Sequence, residues 1–329
     1  MATVSLQAAQ MQHDNAFPKR DIADNGQPFH NFVAHKSAFD RAREANRFVR
    51  PRGRSKLRMI QEIAEAPYLS MSKRQLKPVH YRGRKGTYCL DVRTSGPGYA
   101  ASVFDADLLI WLVAEILDQF DRGGQSRAAL EEDRSIYFNP HTFLRDVDHA
   151  VGGRDYRRFF DSLDRLNHTG FRLKQGTQRV DPLPQSFQLI ERWDYEESEK
   201  NGSCRGVRVK ASPWLFRQAT QPKKLLAVDP GFVNLTSGFE RRLYLIGRKH
   251  AHGTADGFSI KLSTLHCKMG SSQPLASFHR DLKLHVREPT LGYIFEWLES
   301  ADGEPMLNFK PDKSHWFIAG LQKSHLGAR

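Results

Sequence analysis

From about residue 86 onward, the alternation of apolar and polar positions runs through one series of elements and then through the same series again. In the first pass, Asp105 stands before a helix reaching about Phe120, which Gly123-Gly124 stops. Leu108, Leu109, Ile110, Leu112, Val113, Ile116 and Leu117 leave that helix apolar nearly all round, which predicts a helix buried in a core. A short strand follows at Ser135–Phe138, then a helix opening at Asn139-Pro140, with Phe143, Leu144 and Val147 on one side. Gly152-Gly153 breaks it, and a further helix from Asp155 to about His168 turns Phe159, Leu163 and Leu166 inward. Strand-like pieces come next at Phe171–Lys174, Phe187–Trp193 and Val207–Lys210.

The second pass opens with Ser237-Gly238-Phe239-Glu240, a capping box for a helix through Leu243 and Ile246 to about His250. Phe258–Leu262 alternates as a strand, and a helix from about Ser263 to Met269 ends at Gly270. Pro274 then opens a helix whose stripe is Leu275, Phe278, Leu282 and Val286. Leu291–Leu298 and Met306–Phe309, joined through Ala301-Asp302-Gly303-Glu304-Pro305, predict a β-hairpin. Helix, strand, helix, glycine turn, helix and hairpin are the parts of a winged helix-turn-helix. The expected fold is therefore α+β, with two tandem winged-helix domains at residues 56–220 and 221–329 behind a disordered basic N-terminal arm at residues 1–55.

Charge sharpens this picture. The 329 residues carry 50 Lys and Arg against 37 Asp and Glu, a formal charge of +13. Residues 1–86 supply most of it, with 17 basic and seven acidic groups, and nine basic groups crowd into Lys36–Arg58 around Pro51-Arg52-Gly53. Such an excess favours a polyanionic partner, because Lys and Arg that displace counterions from phosphates provide most sequence-independent affinity for nucleic acid. No apolar run approaches the ~20 residues of a membrane span, and no charged-then-apolar leader opens the chain. Cys89, Cys204 and Cys267 form no CxxC pair, which fits a reducing compartment. A cytoplasmic protein without a membrane partner is the expectation.

The exposed faces of the two third helices locate the expected DNA contacts. After Pro274, Arg280, Lys283 and Arg287 fall on one side, while Ser271, Ser272, Gln273 and Ser277 stand at the helix start, where a recognition helix meets base edges. The segment Leu275–Arg287 is thus the expected reader in the major groove. On the helix of the first domain, Arg154, Tyr156, Arg157, Arg158 and Arg165 are mixed with Asp155, Asp161 and Asp164. That mixture suits phosphate anchoring or protein association better than base reading, and it equally suits ion pairs along a solvated helix.

The strings Gly153-Arg154-Asp155-Tyr156-Arg157-Arg158, Leu163-Asp164-Arg165-Leu166, Glu240-Arg241-Arg242-Leu243-Tyr244, Arg248-Lys249-His250, Leu262–Leu265, Lys268-Met269-Gly270-Ser271 and Phe278-His279-Arg280-Asp281-Leu282 occur in the order found in the plasmid replication initiator protein A family. Over roughly residues 56 to 325 the sequence resembles that family. The resemblance implies a protein that binds repeated DNA (iterons) at a plasmid origin, helps to open it and recruits the host helicase machinery. It also implies two winged-helix modules and a homodimer that represses its own promoter. Carried onto this sequence, it makes Ser271–Arg287 the base-reading segment and Arg241 and Arg242 largely structural residues with a share in backbone contact.

Other chemistry is poorly represented. A nicking initiator needs a His-hydrophobic-His metal pair and a tyrosine nucleophile; His250-Ala251-His252 offers the pair, but the downstream tyrosine, Tyr293, falls in an expected strand. No G-x-x-x-x-G-K-[ST] loop is present for ATP. His266, Cys267 and His279 lack the usual four-ligand zinc spacing. No catalytic residue and no cofactor is therefore expected. A winged-helix transcriptional repressor without a replication role remains the alternative, since DNA reading is common to both.

Overall fold

In the computed structural model, which describes residues 37–315 apart from 51–56, 84–87, 97, 124–125, 177–184, 201, 255 and 313, the first element is a helix, α1 (Ala38–Glu44). Most of the expected arm, residues 1–36 and 51–56, lies outside the described residues. The part within them departs from expectation. Ser37 caps α1 by accepting from the Asp40 amide, Phe39 and Ala42 are buried against Tyr137, and Arg43 pairs with Glu196. Phe48, the buried Val49, whose amide donates to the Tyr137 carbonyl, and an Arg47–Asp133 pair complete the docking of residues 37–50 on the body.

Next come β1 (Arg58–Ile60), α2 (Gln61–Glu65), and the antiparallel strands β2 (Val79–Arg82) and β3 (Tyr88–Thr94). Helix α3 (Ala106–Asp121) is buried on nearly every side, as its composition predicts. Asp105 acts differently from the expected cap: its carboxylate accepts from the Ser102 amide and from Arg165. Helix α4 (Arg127–Asp133), capped by Ser126, was not legible as an apolar stripe because only Leu130 is buried.

Strand β4 (Ser135–Phe138), α5 (Pro140–Asp146) and α6 (Gly153–His168) follow in the expected order, with the Asn139 side chain accepting from the His141 amide at the start of α5. The chain then makes β5 (Thr169–Gln175), β6 (Gln185–Phe187), β7 (Ile190–Glu197) and β8 (Cys204–Ala211). Strands β4, β8 and β7 form one antiparallel sheet in that order, while β5 and β6 join the earlier hairpin in a separate sheet ordered β2-β3-β5-β6. Helix α7 (Pro213–Ala219) and β9 (Leu225–Ala227) lead to α8 (Gly238–His250), capped by Ser237.

After α8 the elements are β10 (Phe258–Lys261), α9 (Leu262–Met269), α10 (Leu275–His285), β11 (Tyr293–Glu299) and β12 (Pro305–Pro311). Their sheet is ordered β10-β12-β11, so both halves place the third strand of the series between the first and second. Gly270 ends α9 in the left-handed region at φ 65°, and a Cβ there would come within 2.7 Å of Pro67. Glycine is needed at this turn for both reasons.

The halves share one core. Strand β1 pairs with β9, so a segment before the first series completes a ribbon after it. Helix α8 also reaches back: a Cβ on Gly238 would collide with the Met71 carbonyl oxygen. A mixed helix and sheet fold is thus observed, and its elements are interlocked across residue 221, the expected domain boundary.

Candidate nucleic-acid interface

Helix α10 buries Phe278 and Leu282 and presents its opposite side to solvent. Arg280 and Lys283 are exposed there, with the Arg280 side chain at 74%; Arg287 is exposed too but lies past the helix, which ends at His285 rather than at the expected Arg287. Leu275 and Leu284 are also exposed, which sequence periodicity missed for Leu275. At the helix start Ser272 and Gln273 are exposed, and Ser271 and Ser277 are half-buried. This turn is held in place by its own hydrogen bonds. The Ser271 hydroxyl accepts from the Gln273 amide, the Gln273 carbonyl lies 2.8 Å from His266 Nε2, and Gln273 Nε2 donates to Asp281 at 3.0 Å. Asp281 also lies 3.4 Å from Arg280, so it offsets part of that cation's charge without burying it.

The hairpin beside α10 carries an acidic tip, and that acidity is used internally. Lys261 of β10 pairs with Asp302 and Glu304, holding the Asp302 carboxyl down at about 2 chiefly through that hydrogen bond. Glu304 additionally accepts from the Ser263 amide at the start of α9. The tip's Asp302 and Glu304 are thus engaged by β10 and the start of α9.

On α6, Arg154, Arg157 and Arg158 are exposed, and Arg158 lies 3.5 Å from Asp155. Tyr156 is half-buried against the core, where burial raises its phenol. Arg165 is half-buried and already engaged, unlike a free phosphate contact. Its guanidinium forks onto the buried Asp105 at 2.6–3.1 Å, fastening α6 to the start of α3.

Arg241 and Arg242 have the structural role expected of them but not the expected share in backbone contact. Both are on α8 and almost wholly buried. Arg241 holds Asp107 through two bonds, at 2.6 and 3.2 Å, and donates to the Val103, Val233 and Leu235 carbonyls. Arg242 donates to the carbonyls of Ile63, Ala64, Glu65 and Lys268, and burial pushes its guanidinium down to about 10. Neither can reach a DNA backbone, because every bonding direction of these planar groups is already occupied by the protein.

A profile of the family described as replication initiator protein A matches residues 59–293. The chain belongs to the replication initiator protein A family. Its role is in replication initiation. Across 207 residues it is 25% identical to a Wigglesworthia glossinidia brevipalpis protein named "Putative replication protein", covering 63% of this chain and 72% of the relative. The crystal structure of domains 2 and 3 of RctB superposes with a TM-score of 0.52 at 15% identity, over 77% of this chain and 98% of that one, and so shares its fold.

In this family member, the groups weighed for other chemistry are placed apart from it. His250 is stacked on Phe258 at 4.6 Å, and burial together with Lys268 lowers its imidazole to about 4. Tyr293 is fully buried in β11, its ring 6.0 Å from Tyr244, and burial raises its phenol well above the ordinary value. A nucleophile enclosed in this way has no access to a phosphodiester. His279 packs edge-on against Trp297, and among the described residues no cluster of three or more His, Cys, Asp or Glu could hold a metal ion. No helix among them is long and apolar enough to cross a membrane.

One basic surface escaped the sequence reading. The four-stranded sheet buries Tyr81, Leu90, Val92, Phe171 and Leu173, while its other face presents Arg82, Arg93, Arg172 and Lys174. Strict alternation along Phe171–Lys174 carries that signal, but the partner strand β3 lies some eighty residues away in sequence.

Proposed function

We propose that this initiator binds repeated duplex DNA at a plasmid origin through two winged-helix modules, without catalysing a reaction on the DNA. One observation carries the reading: both halves contain a helix, a strand, two helices and a strand pair in that order, interrupted in the first half by α4 and by β5 and β6, their three-stranded sheets share one strand order, and the third helix of the second half turns a basic face to solvent. In this reading β11 and β12 form the wing, α9 supports the motif, and α10 enters the major groove with Ser271, Ser272, Gln273 and Ser277 nearest the base edges. Arg280, Lys283 and Arg287 contact phosphates. Helix α6, through Arg154, Arg157 and Arg158, anchors a second stretch of backbone.

Energy for opening the origin then comes from binding, supercoiling and host helicase or initiator proteins. A homodimer on the protein's own promoter belongs to the same proposal. Footprinting on the parental replicon, with the coding region's upstream DNA as a second target, tests it. Protection of several directly repeated sites is expected. Protection confined to one promoter operator would instead establish a repressor, and a relaxed, protein-linked product from supercoiled DNA with Mg²⁺ would establish a nickase.

A further inference from the structure

We infer that the outer face of the β2-β3-β5-β6 sheet is a second cationic surface that holds the phosphate backbone of duplex DNA; this inference rests on the DNA-binding reading. The register aligns the face into rows. His80, Asp91, Arg172 and Ser186 lie side by side across the four strands, Arg82, Cys89 and Lys174 form the next row, and Arg93 stands opposite Gly170. Arg82, Arg93 and Arg172 are exposed. Among the described residues none of these three has a carboxylate partner. The one acid in the rows, Asp91, is engaged by His80 at 2.7 Å.

This distribution differs from an ordinary solvated surface, where opposite charges interleave. On α6, Asp155, Asp161 and Asp164 accompany the arginines. The sheet's inner face accounts for its folding, so the outer cations contribute nothing to the core. Four strands at about 4.8 Å spacing put the outer two about 14 Å apart, a platform wide enough to follow one backbone of a duplex. No Phe, Tyr or Trp occupies the outward rows, so the surface lacks the stacking groups that hold unpaired bases. Exposed guanidinium groups on a flat face suit phosphates presented by a duplex. Strand β5 begins at the residue where α6 ends, and Ser95 of the sheet's border bonds the last carbonyl of α6 through both its amide and its hydroxyl. The cationic face is therefore fixed rigidly to the first-half DNA-anchoring helix.

The test uses the full chain carrying Arg82→Ser, Arg93→Ser and Arg172→Ser together, and a matched triple change to Lys. Binding is measured against salt on origin duplex, unrelated duplex and single-stranded DNA of equal length. The Ser variant should lose affinity for both duplexes by the same factor, and its log–log salt slope should be shallower by about two to three units, at ~0.9 per phosphate contact. The Lys variant should keep the wild-type slope. An unchanged slope in the Ser variant, an equal loss in the Lys variant, or an effect confined to single strands would each overturn the inference. Absence of any preference for origin duplex in the wild-type protein would sink the sequence-reading proposal instead, while leaving the slope comparison decisive for the sheet.

Discussion

Helices α8 and α10 both belong to the second half and both are rich in basic residues, yet they use them in opposite ways. On α8, Arg241 and Arg242 are enclosed, donating to Asp107 and to seven main-chain carbonyls drawn from both halves of the chain. On α10, Arg280 and Lys283 remain in solvent, as does Arg287 two residues past its end. The guanidinium group suits both tasks, since it offers five donors in a fixed fork and stays charged at any working pH. Its surroundings decide which task it performs. Where several carbonyls converge it ties together chain segments; where none do, it is free for an external anion.

The contrast is most easily broken at Arg242. Arg242→Met removes the donors from four carbonyls and leaves them buried, which should cost about 3–5 kcal/mol. Urea unfolding would show a lower midpoint, and loss of DNA binding should follow only under conditions that unfold the protein. Weaker DNA binding at full stability would place Arg242 at the interface and dissolve the distinction. Asp107→Asn tests the other clamp. It leaves Arg241 buried with its charge uncompensated, and an expected loss of about 2–3 kcal/mol would be read in the same way.

The α10 side predicts the reverse outcome. Replacing Arg280 and Lys283 together by Ala should leave stability within about 0.5 kcal/mol, since both are exposed. The log–log salt slope of origin binding should become shallower by nearly two units. A wild-type slope in this variant would remove α10 as the phosphate-contacting helix. Changing Gln273 to Ala should instead alter which bases are preferred, which a selection from randomised duplexes would reveal.

What was readable in the sequence was local. The repeated helix, strand, helix, helix and hairpin follow from apolar spacing within a dozen residues, and Ser237, Asn139 and Gly270 mark their ends as capping chemistry predicts. Pairings between distant segments were not readable. Strand β1 finds β9 across more than 160 residues, and β3 finds β5 across the whole of the first helix series. Nothing in either strand's own pattern names its partner. For Arg241 and Arg242 the expected structural role is what their burial shows, and only the expected share in backbone contact is lost, because residue type was weighed above context there. The unbroken run Leu243-Tyr244-Leu245-Ile246 announces a helix enclosed on all sides, and two arginines in its preceding turn had to be enclosed with it. For the proposed DNA-reading face, sequence supplied the exposed cations of α10 but also Arg165, whose partner Asp105 lies sixty residues earlier.

His250 sharpens the comparison further, because it ends α8 among the same kind of neighbours but can shed its charge. Lys268, Lys249 and Arg242 face it as cations, Glu65 faces it as the one nearby acid, and Phe258 covers its ring. Burial and the lysines hold its pKa at about 4, below the usual 6.5, so the folded protein binds this proton less readily than the unfolded chain does. Stability from this group is therefore complete above about pH 6.5, falls as the pH drops toward 4, and changes no further below that. The expected decline is on the order of 3 kcal/mol. His250→Phe keeps the ring contact and removes the proton site, so its melting temperature should fall less than that of the wild type between pH 7 and pH 4.5. Equal declines would mean that this end of α8 tolerates a further positive charge, and that carbonyl bonding alone, without exclusion of charge, distinguishes the α8 interior from the α10 surface.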